Sequence, residues 1–192
     1  MNKNLLEGRS AVVTGAGQGI GEAIARRLAD FGASVIITDI NAEKGEAVAA
    51  SIRAEGQNAE FRRLDVTDFD HLRENIFALR EVYGRIDIWV NNAGITGTAR
   101  VDEITLADWD RMQTLNIKSV FFCTQAVYEI MKEQNYGKLV HISSMAGERG
   151  GASFFFAKNP PKVGGRNMSK GFARSAGADR TTPKSGLPLQ TR

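Results

Sequence analysis

The stretch "VVTGAGQGIGEA" (residues 12–23) decides the fold, because it joins an apolar run to an amphipathic one through closely spaced glycines. Its spacing is T-G-x-x-x-G-x-G, carried by Thr14, Gly15, Gly19 and Gly21. Glycine is needed where a backbone turns sharply and approaches a pyrophosphate with no Cβ in the way. The N-terminus of the next helix offers free N–H groups to the same anion. A plain glycine turn is the alternative, but the position between a strand and a helix predicts a nucleotide-binding loop.

Strands and helices alternate along the chain as far as residue 151. Hydrophobic periodicity predicts strands at 10–15, 33–39, 59–66, 86–94 and 137–143, with helices at 22–32, 41–56, 68–84, 105–115 and on to about 134. Asn41 and Thr105 are the expected N-caps of two of these helices. Apolar strands separated by helices are typical of a parallel sheet covered on both faces. The sequence predicts one α/β domain over 1–192, a Rossmann-like doubly wound parallel sheet truncated after its fifth strand.

Asp39 ends the second predicted strand, 20 residues after Gly19. A carboxylate at this place can accept hydrogen bonds from both ribose hydroxyls of NAD, and it repels a 2′-phosphate. No arginine follows it in "DINAEK" (39–44), so the sequence favours NAD over NADP. Capping of the next helix is the alternative interpretation of Asp39.

Composition and charge exclude several classes of protein. The chain has 192 residues, 42% hydrophobic and 24% charged, which suits a soluble globular protein. No apolar run approaches the roughly 18 residues of a membrane span, and the polar N-terminus is not a signal peptide. The single cysteine, Cys123, is expected in the core and fits the cytoplasm. Residues 158–192 are basic but carry no binding motif, so neither nucleic acid nor a membrane is an expected partner.

Further motifs follow the loop in order, and together they resemble the classical short-chain dehydrogenases/reductases over residues 8–151. They are "DV" (65–66), "NNAG" (91–94), "LNIKS" (115–119) and "ISSMAG" (142–147). The resemblance implies an oxidoreductase that transfers a hydride between NAD(H) and a small-molecule secondary alcohol or ketone, as 3-oxoacyl reductases do. It implies that the cofactor-binding residues are Gly15, Gln18, Gly19, Ile20, Gly21, Asp39, Asp65, Val66, Asn92, Ala93, Gly94 and Lys162.

The same resemblance implies three catalytic residues. Ser144 would orient the substrate oxygen, Asn116 would bind a water of a proton relay, and Lys162 would lie near the nicotinamide ribose. In this family a tyrosine four residues before the lysine moves the proton, because the nearby ammonium lowers the pKa of the phenol.

The stretch "SFFFAKNPPKVGG" (153–165) has no tyrosine where the family places one. That position holds Ala157 or Lys158, and two prolines interrupt the helix that would carry the pair. Three explanations stay open. A reading-frame slip can have replaced the native text, which would also explain the irregular residues 158–192. The chain can be a truncated, non-catalytic NAD-binding pseudoenzyme or interaction protein. It can also be an enzyme that uses another group.

Apolar residues of the helical stretch 105–134 are expected on its surface, including Val120, Phe121 and Val127. Helices of this region pair subunits in the family, so the resemblance implies a homo-oligomer, either a dimer or a tetramer. Burial of these residues in the core is the alternative.

His141 lies in the fifth predicted strand and is interpreted as structural, because no acid or metal partner is evident in the sequence. No metal site is predicted.

Overall fold

The computed structural model describes residues 4–95 and 103–142. Strands and helices alternate through these ranges. In chain order they are β1 (Ser10–Thr14), α1 (Gly19–Asp30), β2 (Ser34–Asp39), α2 (Ala42–Ala54), β3 (Ala59–Arg63), α3 (Leu72–Tyr83), β4 (Ile88–Asn91), α4 (Leu106–Gln113), a π-helical turn (Thr114–Lys118), α5 (Ser119–Glu133) and β5 (Lys138–His141). Within the described ranges, none of the helices combines the length and apolar character needed to cross a bilayer.

The five strands form one parallel sheet with the order β3-β2-β1-β4-β5. The chain builds β2 and β3 on one side of β1 and then continues with β4 and β5 on the other side. The carboxyl ends of β1 and β4 therefore flank a topological switch point, where open α/β sheets bind ligands. This architecture confirms the Rossmann-like doubly wound sheet predicted from the sequence. The predicted end of the sheet after its fifth strand concerns residues outside the described ranges.

β1, β2 and β4 each contribute to two hydrophobic cores, because successive side chains point to opposite faces of the sheet. On one face, Val13 of β1 lies in a cluster with Ala25 of α1 and Ile52 of α2. On the other face, Val12 lies in a cluster with α3 and α5 residues such as Ile76. Both faces are covered over the central strands, which is why β1, β2 and β4 are buried nearly throughout rather than on alternate residues.

Two helices begin at the caps that the sequence predicts. The Asn41 side chain accepts a hydrogen bond from the backbone N–H of Lys44 at 3.0 Å. Thr105 and Asp108 form a reciprocal capping box at the start of α4. The strands are shorter than predicted. β3 ends at Arg63, which pairs with the last residue of β2, so that later residues have no strand beside them.

The prediction that Val127 is exposed is wrong. Val127 is completely buried in the core that α5 shares with α3, together with Cys123, which lies one helical turn earlier. Burial also raises the pKa of the Cys123 thiol to about 12, so this side chain is a neutral core residue as expected. Phe121 and Phe122 keep 37% and 38% of their surface exposed, and the Phe122 ring also contacts that of Phe69 with 5.5 Å between the ring centroids.

Candidate cofactor-binding site

The glycine-rich loop between β1 and α1 has a shape that only glycine allows at several positions. Gly15 and Gly19 have φ angles of +63° and +61°, which lie in the left-handed region. A Cβ on Gly21 would lie 2.3 Å from the carbonyl oxygen of Gly15 and 2.4 Å from Nδ2 of Asn92. A Cβ on Gly19 would meet nothing within 4 Å. The loop is therefore in close contact with its own backbone and with Asn92 at Gly21, and it is open at Gly19.

A set of hydrogen bonds joins this loop to the segment after β4. Asn92 Nδ2 donates to the carbonyl oxygens of Thr14 and Gly15 at 2.9 and 3.0 Å. The Thr14 hydroxyl oxygen accepts the backbone N–H groups of Asn92 and Ala93, both at 3.0 Å. The Thr14 hydroxyl itself donates to the carbonyl oxygen of Val90. Both sides of the switch point are thus fixed to each other, and Asn92 acts by holding the loop.

Asp39 also holds the loop. Its Oδ2 accepts the backbone N–H of Gly17 at 2.9 Å, and its Oδ1 accepts the backbone N–H of Asn41 at 2.9 Å. The cap of α2 is Asn41, so the helix-capping alternative for Asp39 does not hold. A carboxylate offers about four acceptor positions, so two such bonds leave capacity for hydroxyl donors.

Sequence reasoning missed Lys44, which lies in the first turn of α2 on the rim of the loop. Its ammonium donates to Gln18 Oε1 at 2.6 Å, and a Cβ on Gly17 would lie 3.2 Å from the Lys44 Cβ. Within the described residues, Lys44 forms no ion pair with a carboxylate. A cation in the first turn of a helix opposes the helix dipole, and this unfavourable position is the signal that could have identified it. The rim therefore carries a cation as well as the carboxylate of Asp39.

The residues after β3 have separate environments. Asp65 Oδ1 accepts both the backbone N–H and the hydroxyl of Thr67, at 2.8 and 2.6 Å. Val66 is 6% exposed and its side chain lies in the core beside α3. Asp65 shapes the turn at the carboxyl end of β3, and a contact from Val66 to adenine would have to come from its backbone.

Asn116 lies in the π-helical turn between α4 and α5 and is 6% exposed. Its Oδ1 accepts the backbone N–H of Ile95, and its Nδ2 donates to the carbonyl oxygen of Ile95, both at 3.0 Å. A Cβ on Gly94 would lie 2.8 Å from Asn116 Oδ1. The π-turn was not predicted, and such turns often occur at functional sites. Here it places the Asn116 amide where it ties the segment after β4 to the helix.

The structure thus brings the glycine loop, Asp39, the segment after β4 and Asn116 together at the carboxyl edge of the sheet. Ile20, in the first turn of α1, keeps 67% of its surface exposed beside them. Ser144 and Lys162 lie outside the described residues. Two of the chain's three tyrosines lie away from this edge. Tyr83 ends α3, and Tyr136 precedes β5 with the Arg9 guanidinium 4.2 Å from its ring.

Comparisons with known proteins agree with this geometry. The family described as short chain dehydrogenase matches residues 9–178. Gluconate 5-dehydrogenase of Gluconobacter oxydans is 38% identical over 174 residues, which cover 90% of this chain and 67% of that enzyme. The 3-oxoacyl-[acyl-carrier-protein] reductase of Thermotoga maritima is 38% identical over 142 residues, which cover 74% of this chain and 58% of that enzyme. This chain spans between 55% and 68% of the length of such relatives.

Solved structures show the same likeness. Gluconate 5-dehydrogenase from Burkholderia cenocepacia, in complex with NADP and tartrate, matches with a TM-score of 0.87 at 33% identity. The match covers 96% of this chain and 71% of that one. A metagenomic short-chain oxidoreductase in complex with NADP matches with a TM-score of 0.83 at 32% identity, covering 90% of this chain and 78% of that one.

Proposed function

The chain belongs to the short-chain dehydrogenase family, and we propose that it is an oxidoreductase that interconverts a secondary alcohol and a ketone, with NAD(H) preferred. The observation that carries the proposal is the glycine cradle at the switch point. Gly15 and Gly21 leave no room for a Cβ, and the cradle is fixed by Asn92 and Asp39.

The residues present fit a nicotinamide dinucleotide. Backbone N–H groups of the loop and of the N-terminus of α1 suit a pyrophosphate, and the open side of Gly19 gives it access. Asp39 suits the hydroxyls of the adenosine ribose. When bound, such a cofactor supplies hydride transfer. The chain's own residues would hold it, orient the substrate and move the proton.

The preference between NAD(H) and NADP(H) depends on two opposite charges on the rim. The Asp39 carboxylate favours free ribose hydroxyls and repels a 2′-phosphate. Lys44 acts in the opposite direction, because its ammonium donates to the neutral Gln18 amide and to no carboxylate among the described residues. NADP in the two similar solved structures supports some tolerance of the phosphate. We therefore propose a preference for NAD(H) that Lys44 reduces but does not reverse.

Proton transfer would depend on residues of the later part of the chain. Ser144 would donate a hydrogen bond to the substrate oxygen, and Lys162 would bind the nicotinamide ribose. Asn116 would bind a water of the proton relay, and its amide also holds the backbone of Ile95 from two sides. These three roles follow the family resemblance.

One observation favours a second candidate function, a protein that binds NAD(H) without turnover. The sequence has no tyrosine after Ser144, and Tyr83 and Tyr136 lie away from the carboxyl edge. A bound cofactor would then serve a binding or interaction role.

The decisive experiment titrates NADH and NADPH separately and then assays turnover with gluconate and with a 3-oxoacyl thioester. Binding with turnover supports the enzyme, and binding without turnover supports the second candidate. Failure of both cofactors to bind refutes both. Gly21→Ala should abolish binding because its Cβ would overlap the Gly15 carbonyl. Gly56→Ala is the control, since it makes the same replacement at the far end of α2, where φ is +82° and a Cβ would meet nothing within 4 Å.

We also propose a cytoplasmic homo-oligomer, a dimer or a tetramer, that associates through the outer face of α5. Phe121 and Phe122 contact each other edge to face there at 5.3 Å and remain partly exposed. Light scattering should show a smaller particle for Phe121→Ser than for the wild type. An unchanged mass would contradict this interface.

A further inference from the structure

A buried set of hydrogen bonds joins β4, β5 and α5 beneath the carboxyl edge. The indole N–H of Trp89 donates to Asn91 Oδ1 at 2.8 Å, and Asn91 Nδ2 donates to Thr124 Oγ1 at 3.1 Å. Asn91 and His141 are register partners on neighbouring strands, and Asn91 Nδ2 lies 2.9 Å from His141 Nδ1. Trp89, Asn91 and Thr124 are all buried.

This arrangement determines which nitrogen of His141 carries its proton. An indole N–H only donates, so the amide atom facing Trp89 is the oxygen, and the amide nitrogen of Asn91 faces the other way. That nitrogen has two hydrogens, one for Thr124 and one for His141. Thr124 can accept because its own hydroxyl donates to the carbonyl oxygen of Val120 at 2.6 Å. His141 Nδ1 must therefore accept, which places the proton on Nε2.

The surroundings of His141 keep it neutral. Burial lowers its pKa below the ordinary value of 6.5. The group that contacts it from β4 is the amide of Asn91, and the group that contacts this amide from α5 is the hydroxyl of Thr124; both are uncharged. The thiol of Cys123, next to Thr124, stays protonated because burial raises its pKa to about 12. Within the described residues, no charged group offsets the loss of hydration.

We propose that His141 is a positioning residue, which as the neutral Nε2–H tautomer fixes the carboxyl end of β5 to that of β4. Asn91 directly precedes Asn92, which holds the glycine loop, and His141 precedes Ser144 by three residues. The contact thus aligns the strand leading to the serine with the cofactor cradle. Its effect on rate rests on the proposed function, whereas the tautomer does not.

Protonation of His141 breaks this contact. An imidazolium has N–H groups at both nitrogens, so Nδ1–H would face Asn91 Nδ2–H. Asn91 cannot rotate its amide to accept, because its NH₂ group would then face the Trp89 indole N–H. Since the pKa of folded His141 is lowered, its stabilising contribution is complete above about pH 6.5 and is lost as the pH falls through the folded pKa.

Nitrogen-15 NMR of the intact chain tests the tautomer directly, because the chain has two histidines. His71 is the internal reference, since it is exposed and a hydrogen bond to Asp68 raises its pKa. We expect His141 to show an unprotonated Nδ1, a protonated Nε2 and a titration midpoint below that of His71. A protonated Nδ1 at neutral pH, or a midpoint at or above that of His71, would overturn the proposal.

Two substitutions test the positioning role. His141→Leu removes the acceptor and should lower kcat about tenfold, because misplaced catalytic groups lose rate steeply. Its affinity for NADH should stay within about twofold, since Thr14 and Gly15 hold Asn92 independently. His141→Asn places Oδ1 near the position of Nδ1, and its side chain cannot be protonated. In this variant kcat should return to the wild-type value, and the fall of kcat toward acid pH should disappear.

Equal kcat values and pH profiles in the wild type and His141→Leu would refute the role. If the wild type binds neither NADH nor NADPH, the proposed function fails. The proposal about His141 is then decided by two other measurements, the tautomer seen by NMR and the pH dependence of Tm. Tm should then fall toward acid in the wild type and fall less in His141→Asn. Identical declines in both proteins would refute it.

Discussion

Replacing Asp39 by Ala separates the two roles that the structure and the sequence give to this carboxylate. In the structure, Asp39 accepts the backbone N–H groups of Gly17 and Asn41, each at 2.9 Å. From its place at the end of β2, it should also accept the ribose hydroxyls of NAD(H). Asp39→Ala removes all of these interactions, and it removes the negative charge that repels a 2′-phosphate.

The magnitudes follow from the exposure of each contact. A hydrogen bond to a charged group contributes about 1.5–3 kcal/mol, and an exposed donor regains most of this from water. The Asn41 contact is exposed and the Gly17 contact is partly buried, so the free energy of unfolding should fall by about 2 kcal/mol. For a domain of this size, Tm should fall by about 4–8 °C. Lost ribose contacts should weaken NADH binding by about 2 kcal/mol, roughly 30-fold.

NADPH should respond differently, because relief of the repulsion offsets the loss of loop order. Its dissociation constant should change by less than about threefold. The assay is a fluorescence titration of both reduced cofactors, with Tm measured by calorimetry. Asp30→Ala is the control for net charge, since Asp30 pairs with Arg27 at the far end of α1. Equal weakening of NADH and NADPH would refute the ribose role, and an unchanged Tm would refute the loop role.

Three further predictions concern the rim and the core. Lys44→Met should weaken NADPH about tenfold and NADH by less than twofold, because the ammonium favours a phosphate over hydroxyls; a titration showing equal losses would contradict this. Asp87→Ala should lower the free energy of unfolding by about 3 kcal/mol in urea, since its fully buried carboxylate accepts from Arg9, Arg85 and the Ser10 N–H; a loss below about 1 kcal/mol would argue against this network. Cys123 should react with iodoacetamide only on unfolding, because it is 1% exposed and its pKa is about 12; rapid labelling of the folded chain would disprove its burial.

The features predicted well from the sequence are those set by local chemistry. The glycine spacing around Gly15 and Gly21 reflects close approach of a backbone, which no other residue permits. The cap at Asn41 follows from the side chain alone. The order of apolar strands then fixes a parallel sheet, so that Asp39 and Asn92 lie at the same edge.

The features missed depend on distant parts of the chain. Lys44 reaches Gln18, 26 residues away, only because α2 begins beside the glycine loop. The structural role expected of His141 stays a prediction, and what the sequence does not reveal is its partner, the amide of Asn91, which the register of β4 with β5 supplies. The sequence does not reveal which side of α5 faces the sheet, and this is why the prediction of an exposed Val127 is wrong. The π-turn at Asn116 has no simple periodic signal.

Binding and turnover are expected to be separable in this chain, because the contacts that shape the cradle are made among residues that precede the family's serine and lysine positions. Gly17 is held by Asp39, Gly15 by Asn92, and Ile95 by Asn116. NADH binding is therefore expected whichever explanation holds for the absent tyrosine, and turnover with an intact mass discriminates among them. A mass of 20.9 kDa excludes a reading-frame slip. With that mass, turnover requires another group to move the proton, and tight binding without turnover identifies a pseudoenzyme.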